Sequence, residues 1–261
     1  ILLVGIDTSA PGYLRVRAFA AAAVRHAMGQ NLRRVALAFP DLAGLDLATW
    51  IEAAMLGART GAYRFAHYLT GDRKPRSDVD TVVLCAPPAT RLPPTQRLDL
   101  ALARALAVAD AVDLARNLVN EPPNVMTPTE LARRAEEVAR MGGLECEIWE
   151  RERILVEGMN LLAAVNAGSR EEPRFIRLRY RPDKPSKRRI VLIGKGLTFD
   201  AGGLCLKPAK GMQDMKCDMS GGALVLAVMA AVAVRKPKSE VIALIPSTEN
   251  MPGGAAARPG D

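Results

Sequence analysis

Between Gly194 and Met219 the sequence concentrates Lys195, Asp200, Lys207 and Asp218 among glycines. Carboxylate oxygens of this kind suit hard or borderline cations such as Mg, Mn or Zn, and the glycines allow the backbone to approach a metal or substrate closely. Two carboxylates, two lysines and a rigid support therefore point to a cation site. On spacing alone, an ordinary loop ion pair between Lys207 and Asp218 is an equally good reading. The two histidines, His26 and His67, fall in helical patterns of the first part of the chain, far from each other and without ligand partners. That argues against a His-built zinc site and a Ser-His-Asp triad, so a hydrolytic site must use carboxylates, lysines or thiols. A phosphate loop at Gly194-Lys195 fails as well. Its first glycine is replaced by Arg189, and Gly196 occupies the Ser/Thr position.

The elements that must position these groups can be read from periodicity. Strands are expected at Ile1–Asp7, Arg34–Phe39 and Thr81–Cys85, and helices at Leu14–Met28 and Leu45–Leu69, which gives an α/β domain over residues 1–94. A long Ala- and Leu-rich helix over 95–119 connects it to a second domain, 120–261. The turn Asn120-Glu121-Pro122-Pro123-Asn124 cannot be helical, because proline lacks the donor N–H and restricts its predecessor. Thr127-Pro128-Thr129-Glu130 then supplies an N-cap, a first-turn proline and a Glu three residues on, starting a helix to about Met141. Strands are expected at Glu145–Trp149, Leu161–Asn166, Phe175–Tyr180, Arg189–Ile193 and Glu240–Pro246, with a helix at Gly222–Arg235. Asp200 falls in a loop leaving the strand that ends at Ile193, on the rim of a crevice. Asp218 directly precedes the apolar helix, whose burial would hold it in place.

The chain has 261 residues, 49% of them hydrophobic, and a formal charge of +8. The basic residues are scattered rather than gathered in an arm. The densest run, Lys184–Arg189, has no aromatic side chain to stack on a base and reads as a solvated hairpin loop. Nucleic-acid binding is thus the minor alternative. Cys85, Cys146, Cys205 and Cys217 form no CxxC pair, which fits a reducing cytoplasm. The longest apolar run, Ala223–Val234, is shorter than the roughly 20 residues that cross a bilayer.

At these residues the chain resembles the leucyl aminopeptidase (cytosol aminopeptidase) family. The family's GKGLTFDxGGxxLKP signature is matched by GKGLTFDAGGLCLKP at Gly194–Pro208, and its GMxxMKxDM element by GMQDMKCDM at Gly211–Met219. ARNLVNEPPNVMTP at Ala115–Pro128, GMNLLAAVNAGS at Gly158–Ser169 and TENMPGGAAARPGD at Thr248–Asp261 agree with it too. The resemblance implies a small N-terminal α/β domain followed by an α/β/α catalytic domain with a central mixed sheet. It implies two divalent ions (Zn or Mn, with Mg as a further candidate), with Lys195, Asp200 and Asp218 as ligands. Lys195 would have to bind as the free amine, which nearby dicationic charge can enforce. The ions would engage the α-amine and scissile carbonyl of a peptide and activate a water. Lys207 would be the catalytic electrophile stabilising the oxyanion, and Met215 would line the pocket for the N-terminal side chain. Peptide substrates and a homohexamer follow from the same likeness, and since some members also bind DNA, a catalytically silent regulatory or DNA-binding protein is the alternative.

The family's further metal-site segment, resembling NTDAEGR, belongs some tens of residues beyond RPGD, so the 261 residues alone are expected to be inactive. The expectation is a piece of a longer protein, or a nicked one keeping its other half as a second chain. A genuine truncation would leave the Ala223–Val234 helix exposed. Ala201 and Cys217 depart from the family's usual small polar residue and Tyr, and a buried thiol at Cys217 would bear on metal preference or oxidation.

Overall fold

A computed structural model describes residues 4–5, 9–38, 44–75, 78–87, 90–184 and 186–261. The chain divides into two compact units, 1–113 and 114–261. In the first, α1 (Gly12–Gly29) and α2 (Leu47–Ala62) share a core with a parallel pair, β1 (Arg34–Ala38) and β2 (Thr81–Cys85). The two helices touch backbone to backbone. A Cβ on Gly57 would lie 2.2 Å from the Arg17 carbonyl oxygen, and one on Gly61 would lie 2.6 Å from Ala21 Cα. Val16, Leu37 and Trp50 fill the core. The opening strand expected at Ile1–Asp7 falls mostly outside the described residues.

The second helix is shorter than the periodicity suggests, because Tyr63 leaves the helical region at ψ 132°. The aromatic-rich stretch that follows loses side-chain freedom in a helix. It instead makes ring contacts, Phe65 with Tyr68 and His67 with Tyr68. His67 therefore lies outside any helix. A long helix, α3 (Thr95–Asn120), runs across the division between the units.

After the end of α3 the second unit continues with α4 (Pro128–Gly142), and the Thr127 hydroxyl accepts from the Glu130 N–H at 3.2 Å. Such a cap is worth about 1 kcal/mol. Then follow β3 (Glu145–Trp149), α5 (Arg151–Val156), α6 (Asn160–Asn166), β4 (Arg174–Tyr180), β5 (Arg189–Ile193), β6 (Gly196–Asp200), the short turn α7 (Ala209–Met212), α8 (Ser220–Arg235) and β7 (Glu240–Asn250). The sheet is mixed, as expected. Its order is β3-β4-β7-β5, with β6 also on β7. β4 is antiparallel to β7, whereas β5 and β6 are parallel to it. Alternate residues Ile176 and Leu178 of β4, with Val241, Ala243 and Ile245 of β7, meet Leu131 and Ala135 of α4 and Ala223, Leu226 and Met229 of α8. Phe175 turns the other way and packs its ring 4.8 Å from Trp149.

Three expectations change. Leu161–Asn166 is helical: its Leu and Ala residues favour a helix over a strand. Because β4 and β5 lie on opposite sides of β7, Lys184–Arg189 is a crossing connection, not a hairpin loop. Gly196–Asp200 is a strand of its own, paired from Gly196↔Ser247 to Asp200↔Asn250. The stretch Ala209–Arg235 is apolar enough to suggest a membrane span. It is broken, however, by non-helical φ/ψ at Lys210 and Gly211 and by a 3-10 turn at Gln213–Cys217. That leaves α8 with 16 residues, short of a span, and its inner face belongs to the core.

Candidate functional site

The long strand β7 carries β5 and then β6 along one side, and the interruption between them is Gly194-Lys195. There the backbone passes close to the start of α8. The Gly222 N–H donates to the Lys195 carbonyl at 2.7 Å, and a Cβ on Gly194 would lie 2.4 Å from the Gly221 oxygen. This contact sets Lys195 beside Asp218, the residue two before α8. Lys195 Nζ is 2.7 Å from Asp218 Oδ2. Asp200 ends β6 opposite Asn250, so both sit at the carboxyl end of parallel strands, where open α/β sheets bind ligands.

After Asp200 the chain turns back sharply. Gly202 adopts φ +92°, a conformation glycine enters without penalty, and a Cβ there would lie 2.4 Å from the Cys205 oxygen. The Lys207 N–H closes the turn on the Ala201 carbonyl at 2.9 Å. The ammonium of Lys207 then lies 2.5 Å from Asp200 Oδ2 and 3.1 Å from Met215 Sδ. All five expected site residues are thus found in two linked groups, Lys195 with Asp218 and Lys207 with Asp200 and Met215. The ion pair considered between Lys207 and Asp218 is replaced by these two pairs. Asp200 and Asp218 are largely covered, with side chains 14% and 22% exposed, whereas Lys195 is 60% exposed. Burial pushes the Asp200 carboxyl upward. The Lys207 ammonium, the Gly202 N–H and the Asn250 amide outweigh it and hold the group below its ordinary value.

Would a divalent ion fit? Each carboxylate already faces a positive charge, so the ammonium groups stand where a cation's charge would be favourable. The donor set of two carboxylates and one amine suits a hard or borderline ion. Among the described residues no group of three His, Cys, Asp or Glu side chains gathers as a metal cluster. Cys217 is exposed rather than buried, and Ala201 is the buried one of the two departing positions.

Two contributors escaped the sequence reading. Asn250 donates its amide to Asp200 Oδ1 at 2.8 Å, and Lys216 Nζ donates to the Asn120 carbonyl at 2.9 Å. The second contact places a cation at the negative end of α3 and ties the 3-10 turn holding Met215 to the Glu-Pro-Pro turn. Asn250 follows the polar Ser247, Thr248 and Glu249, so no local signal singled it out.

Next to Asn250, Glu249 is half-buried against Ser169. Burial pushes its carboxyl up, the Ser169 hydroxyl donating to Oε2 at 2.7 Å opposes this, and the Glu171 charge adds to the rise. A carboxyl raised in the folded state stabilises most when protonated, and that contribution is lost as pH rises through the folded-state value. Glu249→Gln keeps an acceptor for Ser169 and removes the charge. It is expected to melt at a higher temperature than the unaltered protein at neutral pH, with the two melts converging below the ordinary glutamate range. Melting curves across pH check this, and a difference of the same size at every pH would refute it.

The pattern of the cytosol aminopeptidase family, catalytic domain, matches residues 113–261, and that of the family's N-terminal domain matches residues 1–72. A probable cytosol aminopeptidase of Geotalea uraniireducens (strain Rf4) is 42% identical over 214 residues, covering 82% of this chain and 43% of that protein. One from Geobacter sp. (strain M21) is 38% identical over 267 residues, covering 100% and 52%. The chain thus spans about half the length of the curated relatives it matches. Among solved structures, the bottromycin maturation enzyme BotP in complex with Mn superposes with a TM-score of 0.82 at 36% identity, covering 97% of this chain and 51% of that one. The cytosol aminopeptidase from Coxiella burnetii superposes at 0.68 with 30% identity, covering 81% and 42%.

Proposed function

The chain belongs to the cytosol aminopeptidase family, and from that premise we propose that the whole protein is a metal-dependent aminopeptidase that removes N-terminal residues from peptides. The observation that carries this reading is the meeting of Asp200, Lys207 and Met215 at the end of β6, with the Lys195–Asp218 pair held at the start of α8.

Lys195, Asp200 and Asp218 would hold divalent metal, two ions in this reading, with manganese or zinc favoured. When bound, such ions polarise a scissile carbonyl and make a water nucleophilic at neutral pH. The rest of the work falls to the chain's own groups. Lys195 would ligate as the free amine, giving up the proton that it now donates to Asp218. Asp200 keeps Oδ1 tied to the Gly202 and Asn250 N–H groups, and Oδ2, which faces Lys207, would be the oxygen offered to a metal. Lys207 presents a fixed positive donor where negative charge develops on the substrate oxygen. Met215, in contact with Lys207, offers a soft apolar wall for the N-terminal side chain. Two further parts of the reading rest on family likeness: assembly as a homohexamer and a cytoplasmic location. The remaining ligands are expected from the portion of the relatives beyond the half matched here.

The test uses the full-length protein with added Mn²⁺ or Zn²⁺ and a leucine chromogenic amide. Metal-dependent release of the chromophore supports the proposal. No turnover with either metal would sink it.

A further inference from the structure

We propose that Asn250 is a positioning residue that sets the orientation of the Asp200 carboxylate and thereby the affinity of the site for divalent cations. The inference rests on the metal-site reading above. Asp200 Oδ1 receives two N–H groups, Gly202 N at 2.9 Å and Asn250 Nδ2 at 2.8 Å, while Oδ2 faces Lys207. With Oδ1 occupied by donors on two sides, the plane of the carboxylate is fixed and only Oδ2 is presented to a cation. A ligating carboxylate held this way is spared the rotamer freedom it would otherwise lose on binding.

The orienting amide is itself immobilised. Asn250 is the register partner of Asp200 across β6 and β7, and its carbonyl accepts the Ala201 N–H at 2.9 Å. Its side-chain oxygen lies against Gly203, where a Cβ would stand 2.8 Å from it, so glycine at that position leaves the carboxamide its place. On the preceding residue, Glu249 is bonded to Ser169. On the following side the backbones of Gly168 and 251–253 are in close approach: a Cβ on Gly168 would lie 2.0 Å from the Met251 oxygen, and one on Gly253 2.5 Å from the Gly168 oxygen. The end of β7 is therefore clamped to the loop after α6. The Asn250 amide cannot follow Asp200 if that carboxylate turns, which is the property an orienting group needs.

The experiment measures Mn²⁺ binding to the full-length protein by calorimetry, beside the thermal melt of the metal-free form and kcat at saturating Mn²⁺. Asn250→Leu keeps the volume and removes the donor, and Asn250→Ala removes both. Each is expected to bind Mn²⁺ about 10- to 100-fold more weakly. The Leu variant is expected to melt close to the unaltered protein and to recover most of its kcat when metal is saturating. If Asn250→Ala does not fold, the Leu variant alone decides. Unaltered affinity in that variant overturns the positioning role and leaves the aminopeptidase reading standing. A lower melting temperature with unaltered affinity also overturns it, since that is the behaviour of a residue that only fills space. An unsubstituted protein that binds no Mn²⁺ overturns both.

Discussion

Lys207→Ala is expected to lower kcat on a leucine amide by about 10²- to 10³-fold with little change in KM, the cost typical of losing one preorganised donor to a developing oxyanion. Its ammonium is held at 2.5 Å from Asp200 Oδ2 by a loop that closes through its own N–H, so the charge is in place before substrate arrives. That arrangement could also mean that Lys207 merely neutralises Asp200, and the two roles separate experimentally. A group acting on the transition state leaves KM and Mn²⁺ affinity near their original values while kcat collapses. A group serving only as counter-charge changes metal affinity and spares kcat at saturating metal. Lys207→Arg is not expected to rescue turnover, because the planar guanidinium cannot replace a compact ammonium between Asp200 and the Met215 sulfur. A kcat within about threefold of the unaltered enzyme would refute the assignment.

How much of this could be read from the residues depends on which forces were local. The Thr127 cap and the strands at Phe175–Tyr180 and Glu240–Pro246 are written in short-range pattern, and they appear as expected, the second running on to Asn250. The site residues were legible as a cluster because their spacing follows one strand end and one helix start. Their partners were not legible. Whether Lys207 faces Asp218 or Asp200 is set by the φ of +92° at Gly202, and nothing local in the sequence separates that turn from a wider loop. Gly196–Asp200 read as loop because glycines flank it. Yet Leu197, Thr198 and Phe199 suit a strand, and Gly196 is glycine because a Cβ would meet the Pro246 oxygen at 2.8 Å across the sheet. The same ambiguity hid Asn250, whose role exists only once β6 lies beside β7.

Gly194→Ala is the substitution in which fold and site fail together. Its Cβ would lie 2.4 Å from the Gly221 oxygen, 2.7 Å from the Gly221 carbonyl carbon and 2.9 Å from Gly222 Cα. All three are backbone atoms of the α8 start, so no side chain can swing aside to relieve the overlap. Two responses remain. Either β5–β6 slides off β7, at the expense of the Gly194 N–H bond to the Leu244 carbonyl at 3.0 Å, or α8 withdraws and breaks the 2.7 Å bond from Gly222 N–H to Lys195. Overpacking of this kind costs about 1–3 kcal/mol. The loss is expected as a lower urea midpoint with an unchanged m-value, since the same surface is exposed on unfolding. Both responses also carry Lys195 away from Asp218, because this backbone contact and their own 2.7 Å ion pair hold the two side chains together. Metal affinity and kcat are therefore expected to fall even at temperatures where the variant remains folded. A variant that is destabilised yet binds Mn²⁺ as tightly as the unaltered protein would mean that the Gly194–Gly221 contact holds the fold alone and that Lys195 is positioned by something else.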